Sequence, residues 1–244
     1  MGVRMVFPTV SAAFYGGVTC VWLSAALAAA VSLLHLYSCL AGKNTLRMVT
    51  KPMLMPAVIL LHISICGFAH PLVIAALIFG CVGDVFLMFV TRSKLCLVWG
   101  MLGFLIGHAL YIISAVRTGL PAALAANGIL PVILVCACAL AIGVGVYIFL
   151  YKSIYSKLKA ATGIYILALT AMAASMFCCF FGKVCLPTAL MVAGGALFTV
   201  SDFILACRMF GIIKRKRINF WVMLTYIFAQ TCLAVGFALV GAAR

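Results

Sequence analysis

The chain has 244 residues, of which 68% are hydrophobic and only 8% are charged. A soluble domain is about half apolar and about a quarter charged, so this composition excludes a soluble protein and predicts an integral membrane protein. Asp84 and Asp202 are the only two acidic residues, against 17 Lys and Arg residues and a formal charge of +15. Because the basic residues lie between apolar runs, as in membrane loops, they argue against nucleic-acid binding.

Eight apolar runs are long enough to cross a bilayer, which takes about 17–25 helical residues. The runs are continuously apolar rather than alternating, which favours helices over a β-barrel. Turn residues at 118–121 end the fourth run, and we interpret 120–128 as a connector. The sequence therefore predicts one all-α membrane domain over residues 1–244. Its spans are 18–40, 52–69, 71–90, 95–116, 128–150, 160–181, 184–207 and 218–240.

The distribution of basic residues predicts how the spans are oriented. Most of them lie in the loops after the first, third, fifth and seventh spans. Only Arg4, Arg117, Lys183 and Arg244 lie on the opposite side. By the positive-inside rule the first group faces the cytosol, so that both termini face the lumen or the exterior.

A short internal similarity links the third span to the seventh. Residues 82–87 read VGDVFL and residues 200–205 read VSDFIL. Since these spans are four apart, we expect two four-helix halves in parallel orientation. Asp84 lies 8 residues before Arg92, and Asp202 lies 6 before Arg208. At 1.5 Å per residue, the two carboxyl groups lie about 12 and 9 Å below the cytosolic edge, at nearly one level.

A carboxyl group inside the hydrocarbon region costs several kcal/mol on insertion scales, so both Asp side chains must face the bundle interior or a wet cavity. One interpretation is a packing role, with each Asp hydrogen-bonded between helices. Asn or Ser would fill that role at less cost, whereas a carboxyl group can also exchange a proton. If the two groups approach each other, they cannot easily both ionise, which leaves one acid and one carboxylate for acid/base hydrolysis.

Other polar residues inside the spans are candidates for the same site. His108 and Tyr111 share one face of the fourth span, and Tyr226 and Gln230 share one face of the eighth. We expect His108 beside Asp84 and Gln230 beside Asp202, with hydrogen bonding between helices as the alternative role. Tyr165 on the sixth span is only a minor candidate.

Lys51 opens the second predicted span, directly before Pro52. We expect its ammonium at the membrane interface, with a lipid phosphate as the alternative partner. The four His residues are scattered over different spans or turns, and no zinc-binding pattern or CxxC pair is present. We therefore expect no metal and no cofactor.

Five ordered segments resemble the YhhN-like family of eight-span membrane proteins, which includes the eukaryotic lysoplasmalogenases. They carry a Lys-Pro pair, a Gly-Asp pair, a Gly-His pair with a following Tyr, a Ser-Asp pair, and a Tyr with a following Ala-Gln. The segments run from the second to the eighth span and comprise residues 50–56, 83–88, 104–111, 194–202 and 225–230. Ile227 departs from the family, whose members often have a second Tyr there.

The resemblance implies an enzyme that hydrolyses the vinyl-ether bond of lysoplasmalogens. The products would be a fatty aldehyde and glycerophospho-ethanolamine or -choline. Asp84 and Asp202 would be catalytic, one as the proton donor and the other as the carboxylate that stabilises the cation and activates water. The residues expected to bind substrate are Lys51, His108, Tyr111, Tyr226 and Gln230. The expected partners are the lysophospholipid and membrane lipids, in the endoplasmic reticulum if the chain is eukaryotic.

Three points stay open on the sequence alone. Lys51, Arg92 and Arg208 are alternative ligands for the lipid phosphate. An intramembrane aspartyl protease is disfavoured, because its Gly-x-Gly-Asp signature is one residue shorter than the run from Gly80 to Asp84. A proton-coupled transporter or lipid-binding membrane protein is the main alternative function, because intramembrane Asp residues serve as proton relays.

Overall fold

In the computed structural model, residues 17–93, 95–215 and 217–242 are described. These ranges contain eight long helices and no strand, and each helix is long and apolar enough to cross a membrane. The all-α membrane fold is thereby confirmed. The helices are α1 (Gly17–Leu40), α2 (Asn44–Cys66), α3 (Pro71–Met88), α4 (Leu95–Asn127), α5 (Leu130–Leu150), α6 (Lys159–Gly182, after a 3₁₀ turn at Ser156–Leu158), α7 (Leu186–Met209) and α8 (Ile218–Ala242).

Two of the predicted spans have wrong bounds, while the other six agree to within two residues. The second helix begins at Asn44, so Lys51 lies inside α2 instead of opening it. The fourth helix continues to Asn127, so the supposed connector at 120–128 is almost entirely helical. These extra turns pack on the end of α6, where the Asn127 side-chain amide donates to the Phe181 carbonyl at 2.7 Å. Pro121 therefore lies inside a helix that packs on α6, despite the helix-breaking tendency of proline.

The orientation relative to the cytosol stays a prediction. Four of the basic residues on which it rests lie outside the described residues, namely Arg4, Lys94, Lys216 and Arg244.

The helix contacts have the pattern that two equivalent halves would give. In the first half α1 packs on α2, α2 on α3 and α3 on α4, and the second half repeats this order from α5 to α8. The halves join through α2 with α8 and through α6 with α4, so the last helix of each half packs on the second helix of the other. Of the two helices that carry an Asp, the backbone of α3 also approaches α8 of the other half, whereas within the described residues the backbone of α7 closely approaches only α5, α6 and α8 of its own half.

Glycines allow the close crossings within each half, as expected for small residues in membrane helices. A Cβ on Gly103 of α4 would lie 3.0–3.1 Å from backbone atoms of Gly83 and Phe79 on α3. A Cβ on Gly194 of α7 would lie 2.9 Å from the Ala229 carbonyl oxygen on α8. The α3–α4 and α7–α8 contacts therefore bring backbones together, and they fix the positions of the helices that carry Asp84 and Asp202.

We predict that Gly103→Ala lowers the thermal unfolding temperature of the detergent-solubilised protein, because the new methyl group meets backbone atoms that cannot rotate away. Overpacking of this kind costs about 1–3 kcal/mol. Gly145→Ala is the matched control, since a Cβ there meets nothing within 4 Å. Equal unfolding temperatures for the two variants would show that the α3–α4 crossing is looser than described.

Candidate functional site

Both carboxyl groups of the chain face one cavity inside the bundle. Asp84 on α3 is 3% exposed and Asp202 on α7 is 7% exposed. The cavity has a volume of about 310 Å³ and is also lined by Arg47, Lys51 and Arg208. We call it the polar cavity. It lies near the ends of α3 and α7 and near the start of α2.

Asp84 is paired with a cation. The Lys51 ammonium on α2 lies 3.0 Å from Asp84 Oδ1, and its side chain is only 14% exposed. The Tyr226 hydroxyl on α8 approaches the same carboxyl group. Among the described residues, the buried Oδ2 of Asp84 has no hydrogen-bond partner. One oxygen of Asp84 is thus held by Lys51, while the other is buried beside Tyr226.

Asp202 has different partners. The Tyr165 hydroxyl on α6 donates a hydrogen bond to Asp202 Oδ2. His108 Nε2 on α4 lies 3.4 Å from the Tyr165 hydroxyl and 3.9 Å from the same carboxyl oxygen. The imidazole is held in place by the edge of Phe198, at a ring-centroid distance of 4.9 Å. Because both contacts of Asp202 are on Oδ2, its Oδ1 is left for the cavity.

A buried hydrogen-bonded chain extends the Asp84 side of the site. The Tyr111 hydroxyl donates to Gln230 Oε1 at 2.8 Å, and Gln230 Nε2 donates to the Tyr226 hydroxyl at 3.3 Å. Tyr226 lines the polar cavity, whereas Tyr111 and Gln230 lie behind it and do not. The last two residues therefore position Tyr226 and have no surface on the cavity.

The predicted pairing of the two acids with their neighbours is wrong. His108 lies beside Asp202 instead of Asp84, and Gln230 belongs to the Tyr226 chain on the Asp84 side. The reason is that the fourth helix of each half packs against the other half. α4 packs on α6 and α8 packs on α2, so the fourth helix of each half reaches the acid of the other half. Lys51 has a partner that the sequence did not predict, because its ammonium pairs with Asp84.

The sequence interpretation undervalued Tyr165 and overlooked Arg47. Asp202 follows Asp84 by a fixed number of residues, and the same separation links His108 to Tyr226 and Arg47 to Tyr165. Extending the internal similarity with this one offset identifies both positions. The sequence places Arg47 among the basic residues of the loop after the first span, whereas in the structure it lies in the first turns of α2.

The mouth of the polar cavity carries uncompensated positive charge. Arg47 and Arg208 line it, and in the described part of the chain neither forms an ion pair with a carboxylate. Since the chain has only two acids, no side-chain carboxylate remains for them. Arginine donates bidentate hydrogen bonds to phosphate, so this mouth suits an anionic headgroup. Arg92 lies outside the cavity, and its guanidinium stacks over Phe89 at 5.4 Å.

A second, apolar cavity adjoins the first between α4, α6 and α7. It is narrow, about 80 Å³, and its lining is almost wholly carbon. We call it the apolar cavity. It shares residues with the polar cavity, among them Phe104 and Asp202, but Asp84 does not line it. Leu169 of the apolar cavity follows Lys51 of the polar cavity by as many residues as Asp202 follows Asp84. Lys51 and Leu169 thus occupy equivalent positions in the two halves, and the two cavities are equivalent regions with different chemistry.

No metal site is formed within residues 17–93, 95–215 and 217–242, where no three His, Cys, Asp or Glu side chains come together as ligands. The polar side chains around the two carboxyl groups are Lys51, Tyr165, His108 and Tyr226.

Comparison with known proteins gives a family match. The model of the YhhN family matches residues 46–237, a range that contains both acids and every neighbour described above. No curated protein and no solved structure matches the chain.

We predict that Lys51→Met lowers the unfolding temperature, because Asp84 is left without its counter-ion. Breaking a buried ion pair by removing one partner costs roughly 3–5 kcal/mol in soluble proteins. The double variant Lys51→Met with Asp84→Asn should have an unfolding temperature much closer to that of the wild type, because neither charge remains. Thermal unfolding in detergent measures all three proteins, with the exposed Lys157→Met as the control. A double variant as unstable as the single one would contradict the charge-pair explanation.

Proposed function

The chain belongs to the YhhN family, and we propose that it is a hydrolase that cleaves the vinyl-ether bond of lysoplasmalogens. The observation that carries this proposal is the placement of Asp84 and Asp202 on one buried cavity with a cationic mouth. The products are a fatty aldehyde and a glycerophospho-base. Family membership supports hydrolysis as the reaction class.

The chemistry of a vinyl ether matches what two carboxyl groups provide. Cleavage begins with proton transfer to the outer alkenyl carbon, which creates an oxocarbenium ion at the ether-bound carbon. Water then adds to that carbon, and the hemiacetal collapses. A carboxylic acid supplies the first proton, and a carboxylate stabilises the cation and accepts a proton from the water. In a cavity that excludes bulk solvent, a carboxylate stabilises the cation more strongly than it would in water.

The two cavities suit the two ends of a lysophospholipid. Arg47 and Arg208 at the mouth of the polar cavity are placed to hold the phosphate, and the apolar cavity has room for the first few methylene groups of the chain. The scissile bond then lies between these ends, where the two carboxyl groups face the cavity. A lipid substrate also accounts for a site built within membrane-spanning helices. We place the reaction in the cytosolic leaflet, in the endoplasmic reticulum if the chain is eukaryotic.

We predict that the purified protein releases fatty aldehyde from a defined lysoplasmalogen, and that Asp84→Asn and Asp202→Asn each lower kcat by about 100-fold or more. General acid/base catalysis contributes about 10²–10⁴-fold, and an amide can neither give nor take the proton. Aldehyde release is followed with a coupled alcohol dehydrogenase.

Two controls accompany this assay. The 1-alkyl analogue, which has no alkene to protonate, should release no aldehyde. Thr118→Val should keep wild-type turnover, because within the described part of the chain the Thr118 hydroxyl bonds only to the Ser114 carbonyl of its own helix and lies outside both cavities. Folded Asp variants with full turnover would rule out the acid/base mechanism. A wild-type protein that binds the lipid without releasing aldehyde would point to a transporter or lipid-binding protein.

We predict that Arg208→Gln raises KM about tenfold and leaves kcat nearly unchanged. A charge-assisted contact to the phosphate is worth about 1.5–3 kcal/mol and is equally strong in the ground state and the transition state. Lys214→Gln is the matched control, since it removes the same charge from an exposed loop outside the cavity. A change in kcat alone, or an equal effect of both variants, would argue against phosphate binding at Arg208.

A further inference from the structure

We propose that the two acids have fixed and different roles: Asp202 protonates the alkenyl carbon, and Asp84 is the carboxylate that stabilises the cation and activates water. This assignment rests on the proposed vinyl-ether hydrolysis. It starts from an asymmetry between the cavities, because Asp202 lines both of them and Asp84 lines only the polar one.

The asymmetry fixes the direction in which a lysolipid lies. The equivalent positions of the two halves have diverged, so that Arg47 and Lys51 in the first half correspond to Tyr165 and Leu169 in the second. Cations therefore surround the polar cavity, while an apolar wall surrounds the other. A phosphate binds at the cationic end, and a hydrocarbon chain is excluded from it by the cost of leaving these charges without polar partners. The lipid must cross from the polar cavity to the apolar one.

The order of atoms in the substrate then distinguishes the two acids. From the headgroup toward the chain, a lysoplasmalogen presents the ether oxygen, the ether-bound alkenyl carbon and the outer alkenyl carbon. The outer carbon, which receives the proton, lies next to the apolar cavity, where Asp202 is the available acid. The ether-bound carbon, which becomes the cation, lies on the side of the polar cavity, which Asp84 lines.

The partners of the two carboxyl groups agree with these roles. Lys51, 3.0 Å from Asp84 Oδ1, supplies the positive charge that an ionised Asp84 needs inside the bundle. Asp202 Oδ2 accepts the hydrogen bond of a neutral hydroxyl, that of Tyr165, and its Oδ1 remains available to carry a proton toward the cavity.

The resulting cycle returns every group to its starting state. Asp202 gives its proton to the outer alkenyl carbon, and the oxocarbenium ion forms beside the Asp84 carboxylate. Water adds to the cation as Asp84 takes one of its protons, which gives the hemiacetal. Asp84 then returns that proton to the ether oxygen as the carbon–oxygen bond breaks. The hemiacetal hydroxyl gives its proton to Asp202, so that aldehyde and glycerol alcohol leave with both acids restored.

The position of the proton donor is tested by the stereochemistry of the product. In D₂O the wild type should place one deuterium on the carbon next to the aldehyde in a single configuration, preserved by immediate enzymatic reduction to the alcohol. The residual turnover of Asp84→Asn should keep that configuration, because Asp202 still protonates one face. The residual turnover of Asp202→Asn should give both configurations. The opposite pattern, or a single configuration from both variants, overturns the assignment.

Variants whose turnover is too slow for the product to be analysed are tested by equilibrium binding. A lysolipid analogue with a protonated amine in place of the ether-bound carbon mimics the cation, and its binding is compared with that of the neutral 1-alkyl analogue. Asp84→Asn should weaken the binding of the cationic analogue by at least about 30-fold relative to that of the neutral analogue, since a buried charge loses its partner. Asp202→Asn should leave most of that preference. A preference lost only in Asp202→Asn overturns the assignment, whereas absence of aldehyde from the wild type rejects the proposed function itself.

Discussion

A carboxylate inside a helical membrane bundle has to be compensated, and the arrangement of this protein follows from how its two acids are compensated. Asp84 receives a cation from α2, and Asp202 receives a hydroxyl hydrogen bond from α6. Both partners come from the second helix of a half and reach the third helix of the same half. The close glycine crossings and the contacts between halves hold these helices at the distances that such short interactions require.

The two halves have the same helix arrangement but line clefts of different chemical character. Corresponding positions keep an Asp on the third helix of each half and a polar ring on the fourth, Tyr226 near Asp84 and His108 near Asp202. The second helices differ, because Lys51 corresponds to Leu169. Together with Arg47, which corresponds to Tyr165, this difference makes one cleft cationic and the other apolar. An amphiphile with a charged head and a hydrocarbon tail matches such a pair of clefts better than any uniformly polar or uniformly apolar molecule does.

Composition and hydropathy were enough to predict the helices, because the eight apolar runs leave no other way of satisfying their backbone groups in a membrane. The choice of Asp84 and Asp202 as candidate site residues also followed from the sequence, since it holds no other acid. Which residues meet each Asp could not be predicted, because it depends on which helices of the two halves pack together. The wrong partner for His108 has this cause, whereas Lys51 meets Asp84 within one half because α2 begins earlier than predicted. The length of α4 was missed for a related reason, as the turns around Pro121 are stabilised by α6 and not by their own sequence.

The central claim is that a lysolipid lies across the two cavities, with its headgroup at the basic mouth and its reacting bond between Asp84 and Asp202. A crystal structure with a bound 1-alkyl lysophospholipid, which cannot be hydrolysed, tests this most directly. We predict the phosphate against Arg47 and Arg208, the ether oxygen on the Asp84 side, and the chain entering the apolar cavity past Asp202. A lipid bound in the reverse direction, or only on the outer surface of the bundle, would contradict the account.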